Sequence, residues 1–302
     1  SPMRPLAPGL TLRRYRLERR LGTGASGDVW LARSPSGNPV ALKARRREGG
    51  DDEREFRLEF ERLRTMRIPS VVQVLDIGAD QGYVFFTMDV AQGLTFDHHV
   101  QDGHGLQEQT ERACRAGATV AQALTGIHSL KLAHRDVKPA NIMVADSGEA
   151  VLLDFGTTRF GATTDDEGIF VGTAAYMAPE QRVGLPHDQS VDIYALGATI
   201  HEAISGVPSS QWLPGRPRDS LSLLGRAVPL RLAWLVDQML ELDPAERPRA
   251  EQVAAELEAF CEGIDRGPCP WPSSTRYVGD ASVLLESSAV VHGPPGSGRR
   301  RM

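Results

Sequence analysis

The apolar positions divide the chain into a strand-like opening and a longer, mostly helical remainder. Tyr15-Arg16-Leu17, Val29-Trp30-Leu31-Ala32 and Pro39-Val40-Ala41-Leu42 are short apolar runs, and they predict three strands. Residues 51–67 change period. Phe56, Phe60, Leu63 and Met66 or Arg67 recur every three to four positions in a charged stretch, which predicts a helix packed on those strands. Val71 to Ile77 and Tyr83 to Met88 read as two more strands around a Gly78-Ala79-Asp80-Gln81-Gly82 turn. A long helix is expected over 108–130, a strand over Ala150–Leu153, and an apolar helix beginning at Asp192. Helical patterns then continue to about Cys261. After Gly263 the texture becomes rich in proline and serine, as in a linker.

Composition narrows the class. The chain has 302 residues, 41% of them hydrophobic, which allows a real core and argues against wholesale disorder. The net charge is −5 but uneven. Residues 1–67 carry 16 Lys+Arg against 9 Asp+Glu, and the remainder is acidic. Nucleic acid is therefore not an expected partner; the basic opening suits either a polyphosphate or a solvated face. Cys114, Cys261 and Cys269 show neither pairing nor ligand spacing, which fits a reducing cytosol. No apolar run approaches the length of a membrane span. His98, His99 and His104 lack supporting metal-ligand spacing and are expected at the surface. The Ala/Arg/Gly-rich texture suggests a bacterial source, and Met3 reads as a native start behind a two-residue scar.

The chemistry concentrates in His134-Arg135-Asp136-Val137-Lys138-Pro139-Ala140-Asn141. Pro139 has no N–H, so this is not an ordinary helix, and apolar runs on both sides make it a polar loop between buried elements. Asp136 suits accepting a hydroxyl proton, Lys138 neutralising a moving phosphoryl group, and Asn141 holding a metal ion through its carbonyl oxygen. That combination suits phosphoryl transfer, where positioning and charge stabilisation do most of the work.

The stretch resembles the catalytic loop of protein kinases, and Lys138 resembles the serine/threonine branch. Other motifs follow in the order that family requires. Gly22, Gly24 and Gly27 stand in Leu21-Gly22-Thr23-Gly24-Ala25-Ser26-Gly27-Asp28-Val29 and are followed by a strand. That argues against a dinucleotide-binding turn, which opens a helix. Lys43 ends the Val40-Ala41-Leu42 strand. Asp154-Phe155-Gly156, Gly172-Thr173, Ala178-Pro179-Glu180 and Asp192 complete the series. The resemblance covers residues 12–262.

It implies an α+β, bilobal kinase fold: a small β-rich lobe with one main helix over 12–88, a hinge over 89–93 and a larger helical lobe over 94–262. It implies ATP held by Leu21, Gly22, Thr23, Gly24, Ala25, Ser26, Gly27, Val29, Ala41, Lys43, Met88, Asp89, Ala91 and Met143. Met88 would be the gatekeeper, and the backbone of Asp89 and Ala91 would meet adenine. Mg²⁺, with Mn²⁺ as alternative, would sit on Asn141 and Asp154. Glu59 would pair with Lys43, counting back from Pro69, with Glu55 and Glu61 as competitors. Thr173 would bond Asp136 and Lys138, and Glu180 would pair with Arg247. The family usually has His-Pro where this chain has Ile68-Pro69, a departure that bears on how the helix is tethered.

The expected function is a cytoplasmic, Mg-ATP-dependent protein serine/threonine kinase in signal transduction, autophosphorylating as well. The alternatives are a pseudokinase scaffold and the controlling domain of a larger kinase–ATPase regulator. Residues 263–274 form the linker. Residues 275–302 read either as the truncated start of a P-loop ATPase domain, which they resemble, or as a flexible basic tail; Arg299 and Arg300 stand where Lys and Ser/Thr belong, so one ATP site is expected. Asp165, Asp166 and Glu167 lie where bacterial relatives carry phosphorylated threonines, and are expected to pre-set the activation segment toward Arg135.

Overall fold

The computed structural model describes residues 5–24, 27–47, 50–65, 67–153, 174–212 and 219–263. Its first lobe is built on a strand that is buried on both faces. In β4 (Pro39–Arg46), the five residues Val40 to Ala44 are all buried. Side chains alternate across a strand, so Val40, Leu42 and Ala44 point one way and Ala41 and Lys43 the other. The first face joins a core of Leu12, Tyr15, Leu17, Trp30, Ala32, Tyr83 and Phe85, with Leu6 and Leu10 packed against it. The second face meets the helix α1 (Gly50–Thr65), whose buried Phe56 and Phe60 lie 5.0 and 6.1 Å from the Phe86 ring.

The sheet has six antiparallel strands: β1 (Thr11–Leu12), β2 (Tyr15–Gly24), β3 (Gly27–Arg33), β4, β5 (Val74–Asp80) and β6 (Tyr83–Met88). Their order is β1-β2-β3-β4-β6-β5, so β6 returns between β4 and the edge strand β5. Two expectations need correction here. The strand foreseen over Val71–Ile77 begins only at Val74, because Ser70 to Val72 bond elsewhere. Leu152 N–H donates to Ser70 O (2.8 Å), and Val72 N–H donates to Leu152 O (3.0 Å). The following turn is also tighter than foreseen. Gly78 to Asp80 remain in the strand, and the reversal falls on Gln81 (φ 49°) and Gly82 (φ 84°), the two positive-φ positions of a tight hairpin.

The second lobe opens with a small antiparallel sheet of β7 (Leu94–Thr95), β8 (Ile142–Val144) and β9 (Ala150–Leu152). The helices α2 (Phe96–Gln101), α3 (Leu106–Ser129), α4 (Pro179–Arg182), α5 (Ser190–Ser205), α6 (Leu230–Met239) and α7 (Ala250–Cys261) make up most of the rest. In α5 every residue from Val191 to His201 is buried, so this helix is the axis of the lobe. Gly197 permits close packing there: a Cβ on it would lie 2.8 Å from Met239 Cβ. At the junction of the lobes, Gly93 has φ 124°, and a Cβ on it would collide with the Val144 carbonyl. Only glycine fits that position.

The observed architecture is the two-lobed α+β fold expected. Among the described residues no helix is long and apolar enough to cross a membrane. Ser1–Asp265 forms one unit and Arg266–Met302 a second. The second, with the P-loop-like stretch, lies outside the described residues.

Candidate active site

The loop His134–Asn141 is held at its backbone by one buried carboxylate. Asp192, in the first turn of α5, is fully buried. Its Oδ2 accepts the His134 N–H (2.8 Å), its Oδ1 accepts the Arg135 N–H (2.7 Å), and His128 Nε2 lies 2.9 Å from Oδ2. These bonds hold Arg135 at φ 68°, a left-handed conformation that non-glycine residues seldom adopt. His134 faces the Leu153 carbonyl with Nε2 (2.8 Å), while its Nδ1 accepts the Asp136 N–H (3.3 Å). A carbonyl only accepts and an N–H only donates, so the ring carries its proton on Nε2. Pro139 then opens a single 3-10 turn, Pro139–Asn141, in place of a helix.

These constraints converge on Asp136. Lys138 Nζ donates to both of its carboxylate oxygens at 2.8 Å. Asn141 Nδ2 donates to Asp136 Oδ2 (2.7 Å) and to the Asp136 carbonyl (2.8 Å). Both amide hydrogens of Asn141 are thus spent on Asp136, which leaves its Oδ1 for another group. Among the described residues, Oδ2 of Asp136 receives two donors and Oδ1 one, so Oδ1 is the freer acceptor. The Leu153 N–H donates to the Asn141 carbonyl (2.8 Å), so β9 and the loop are fastened together immediately before Asp154.

The first lobe presents a matching face. Ala41 and Lys43 share one side of β4. Val29 lies opposite Lys43, and Met88 lies opposite Ala41 in β6. Lys43 is 1% exposed, with Nζ 5.8 Å from the centroid of the Phe86 ring. A buried ammonium is costly unless compensated, so its burial marks a position where charge is needed. The hairpin from β2 to β3 pairs Gly24 with Gly27. Gly27 has φ 126°, and a Cβ there would lie 2.5 Å from the Ala44 carbonyl oxygen. A Cβ on Gly22 would meet nothing within 4 Å. Leu21 and Thr23 are exposed on the same strand. At the junction, Asp89 N–H is already bonded to the Gln73 carbonyl (3.0 Å), so Asp89 has only its own carbonyl to offer. Met143 is half-buried on β8, between Thr95 and Val151.

Several foreseen residues fall outside this description. Ala25, Ser26, Asp154, Thr173 and the acidic run Asp165–Glu167 lie outside the described residues. Glu59 lies on α1, next to Phe60 in sequence; its side chain, like that of Glu55, lies outside the described ones. Its competitor Glu61 is exposed, with Arg64 4.0 Å away. His98 and His104 are exposed and His99 is half-buried; burial lowers its pKa from the ordinary histidine range. Glu180 and Arg247 do form the expected pair, buried and bidentate at 2.6 and 2.9 Å, with Tyr194 under the guanidinium.

Sequence reasoning missed three supports. His128, six residues before His134 on the last turn of α3, adds its ring to Asp192. Arg182 donates from Nε to Met177 O and from Nη2 to Ala175 O, both at 3.0 Å, fixing the chain just before Ala178-Pro179-Glu180. Tyr176 Oη donates to Glu202 (3.0 Å) on α5; burial, reinforced by that carboxylate, pushes its hydroxyl well up. The His128 and Tyr176 contacts join segments 64 and 26 residues apart that only the folded lobe brings together, and the Arg182 contacts, though local, go to backbone carbonyls that no residue pattern marks.

The protein kinase domain family matches residues 15–257. The serine/threonine-protein kinase PkaA of Streptomyces coelicolor is 31% identical over 283 residues, covering 83% of this chain and 50% of its own length. PknF of Mycobacterium tuberculosis, also a serine/threonine-protein kinase, is 33% identical over 313 residues, with 95% and 65% covered. The solved kinase domain of Mycobacterium tuberculosis PknI aligns with a TM-score of 0.66 at 29% identity. That alignment covers 86% of this chain and all of that domain. This chain spans half to two thirds of the length of those two curated relatives. With the family matched over both lobes and the Asp136, Lys138 and Asn141 side chains bonded together in the loop that carries its motif, the chain belongs to the protein kinase family.

Proposed function

We propose that this chain transfers the γ-phosphoryl group of ATP to serine or threonine hydroxyls of protein substrates, itself included, as a step in signal transduction. The observation that carries this reading is the Asp136 carboxylate, gripped by Lys138 and Asn141 with Oδ1 left the freer oxygen. Asp136 orients the acceptor hydroxyl and takes its proton at Oδ1. Lys138, already beside that carboxylate, stabilises the negative charge of the phosphoryl group as that group passes from the leaving to the attacking oxygen. Lys43, set by Glu59, grips the α- and β-phosphates. The glycine hairpin Leu21–Gly27 with Val29 covers them, and Ala41, Met88 and Met143 line the base. The Asp89 carbonyl and the Ala91 N–H meet the adenine edge, and Thr173 braces Asp136 and Lys138.

The donor set fits a hard divalent ion. Asn141 keeps an oxygen free of hydrogen bonds from the described residues, and Asp154 follows the β9 strand fastened to it. Mg²⁺ held there would neutralise phosphate charge, and Mn²⁺ is the substitute the same oxygen ligands accept. We place the domain in the cytoplasm, where ATP is available; the free thiols of Cys114 and Cys261 support this.

The test is incubation with γ-labelled ATP and Mg²⁺, followed by phosphoamino-acid mapping, beside Asp136→Asn. Phosphoserine or phosphothreonine in the wild type and not in the variant supports the reading. Equal labelling of both removes it.

A further inference from the structure

The long helix α3 and the last helix α7 pack against each other, and each carries a free cysteine at that contact. Cys114 lies on α3 among Ala113, Ala116, Gly117 and Ala118, all of them buried. Cys261 is the last residue of α7 and is half-buried. Gly117 gives the register: a Cβ on it would stand 3.3 Å from Leu257 Cδ1. Cys114 is three residues back from Gly117, and Cys261 is four residues on from Leu257. Steps of three and four stay on one face of a helix, so both thiols fall on the facing stripes, one turn from the Gly117 contact. They also fall on the same side of it. The groups of α3 whose charge acts on Cys261 are Arg115 and Glu111, which bracket Cys114. Early positions of α3 thus meet the end of α7, and the two helices run antiparallel. The alanines and Gly117 let the backbones close up, as a disulfide requires of its two Cα atoms, about 5.5–6 Å apart.

We propose that Cys114 and Cys261 form an oxidation site, a dithiol that hydrogen peroxide converts to a reversible disulfide stapling α3 to α7. Cys261 reacts first, because it is the thiol that solvent reaches. Burial raises its pKa and Arg115 works against the rise, whereas burial pushes the Cys114 thiol much higher. The Cys261 thiolate attacks one peroxide oxygen and the O–O bond breaks. Cys261 becomes a sulfenic acid, and the other oxygen leaves as hydroxide and takes a proton to become water. The Cys114 sulfur then attacks the Cys261 sulfur. The S–S bond forms, the S–O bond breaks, and the departing hydroxide leaves as water with the Cys114 proton. The two thiols together lose two electrons, and one peroxide becomes two waters. Little of either thiol is thiolate at neutral pH, so the staple forms slowly. It encloses residues 115–260, which include the loop His134–Asn141 and the helices α4, α5 and α6. Closing so long a segment strongly restricts the unfolded chain, so the oxidised lobe is the more stable one. The bond lies about 20 Å along α3 from His128, the nearest support of the loop on that helix, and leaves the loop's own bonds in place.

The disulfide stands apart from the phosphoryl-transfer reading, since mass and melting temperature detect it without any activity. The reduced full chain is treated with excess hydrogen peroxide, quenched with catalase and alkylated under denaturing conditions. The monomer band of a non-reducing gel is then mapped by mass spectrometry, beside Cys114→Ala, Cys261→Ala and Cys269→Ala. A peptide linking Cys114 to Cys261 is expected in wild type and in Cys269→Ala, and in neither of the other two. Before denaturation, the oxidised wild type should melt about 5 °C or more above the reduced protein, and dithiothreitol should reverse the shift. Cys261→Ala should show no such shift. A link from Cys261 to Cys269 in place of Cys114 overturns the proposal. So does Cys261 oxidised to sulfinic acid with Cys114 still alkylated, a Cys114–Cys261 link found only in dimers, or a linked monomer that melts no higher than the reduced one. If Cys114→Ala does not fold, the linked peptide in Cys269→Ala and its absence from Cys261→Ala decide the matter alone.

Discussion

The two sides of the proposed site are held very differently. On the second lobe, the loop His134–Asn141 is held by bonds at His134, Arg135, Asp136, Lys138 and Asn141. Asp192 holds two of its amides, Leu153 holds His134 and Asn141, and Lys138 and Asn141 hold Asp136. On the first lobe, of the two hairpin glycines whose surroundings are described, packing demands glycine at Gly27, while Gly22 borders open space. The contrast suits the chemistry. A proton acceptor must be pre-oriented, because misplacement by an ångström costs orders of magnitude in rate. A cover over phosphates must admit and release its ligand, and amides without side chains adapt to it.

The sharpest way to break this comparison is at Asp192. Asp192→Ala leaves the buried His134 amide, the partly buried Arg135 amide and the His128 ring without their acceptor, and should cost about 3–5 kcal/mol. Urea unfolding measures this; a loss below about 1 kcal/mol would mean that the loop is not held as described. Next comes the glycine pair. Gly27→Ala should cost about 2 kcal/mol, because a Cβ meets the Ala44 carbonyl at a positive φ. Gly22→Ala should stay within about 0.5 kcal/mol of wild type. Any activity lost in a stable Gly22→Ala protein is then a ligand effect. Equal destabilisation by both would erase the difference between the two glycines.

The smallest effect concerns the segment before β2. Asp76 accepts from Arg14 (2.8 Å) and Tyr15 (2.9 Å). Burial works to raise the Asp76 carboxyl, but the bonds from Arg14 and Tyr15 outweigh it and hold the group below its ordinary value. A depressed carboxylate stabilises the fold above its unfolded-state pKa, and the stabilisation is lost as pH falls through the folded one. The melting temperature should therefore drop in mild acid by slightly more in wild type than in Asp76→Asn. Parallel curves would show that Asp76 contributes nothing through ionisation. The arginine is exposed, so the effect is small.

How much of this was legible in the sequence follows from how local each signal is. Strands β2, β3, β4 and β6, helices α1, α3 and α5, and the Glu180–Arg247 pair were readable, because apolar period and motif order encode them. The stretch from Val71 to Gln73 was misread as strand. Its two valines look the same whether their backbone pairs with β6 or, as it does, with Leu152. The Arg182 fork was invisible because its acceptors are backbone carbonyls, and the approach of Ile68 to Gly126 because the two lie in different segments. The Ile68-Pro69 departure was visible; what Ile68 packs against was not. The Gly-rich motif was visible too, but not which glycine the packing itself requires.

The central claim is that Asp136 performs chemistry while Lys43 and the hairpin hold the nucleotide. The direct test is ATP affinity by calorimetry together with single-turnover phosphoryl transfer, on wild type, Asp136→Asn and Lys43→Met. The account predicts that Asp136→Asn binds Mg-ATP about as tightly as wild type yet transfers at least about a hundredfold more slowly. Lys43→Met, folded, should lose at least as much transfer and bind ATP more weakly. Near-normal transfer by a folded Asp136→Asn protein would contradict it.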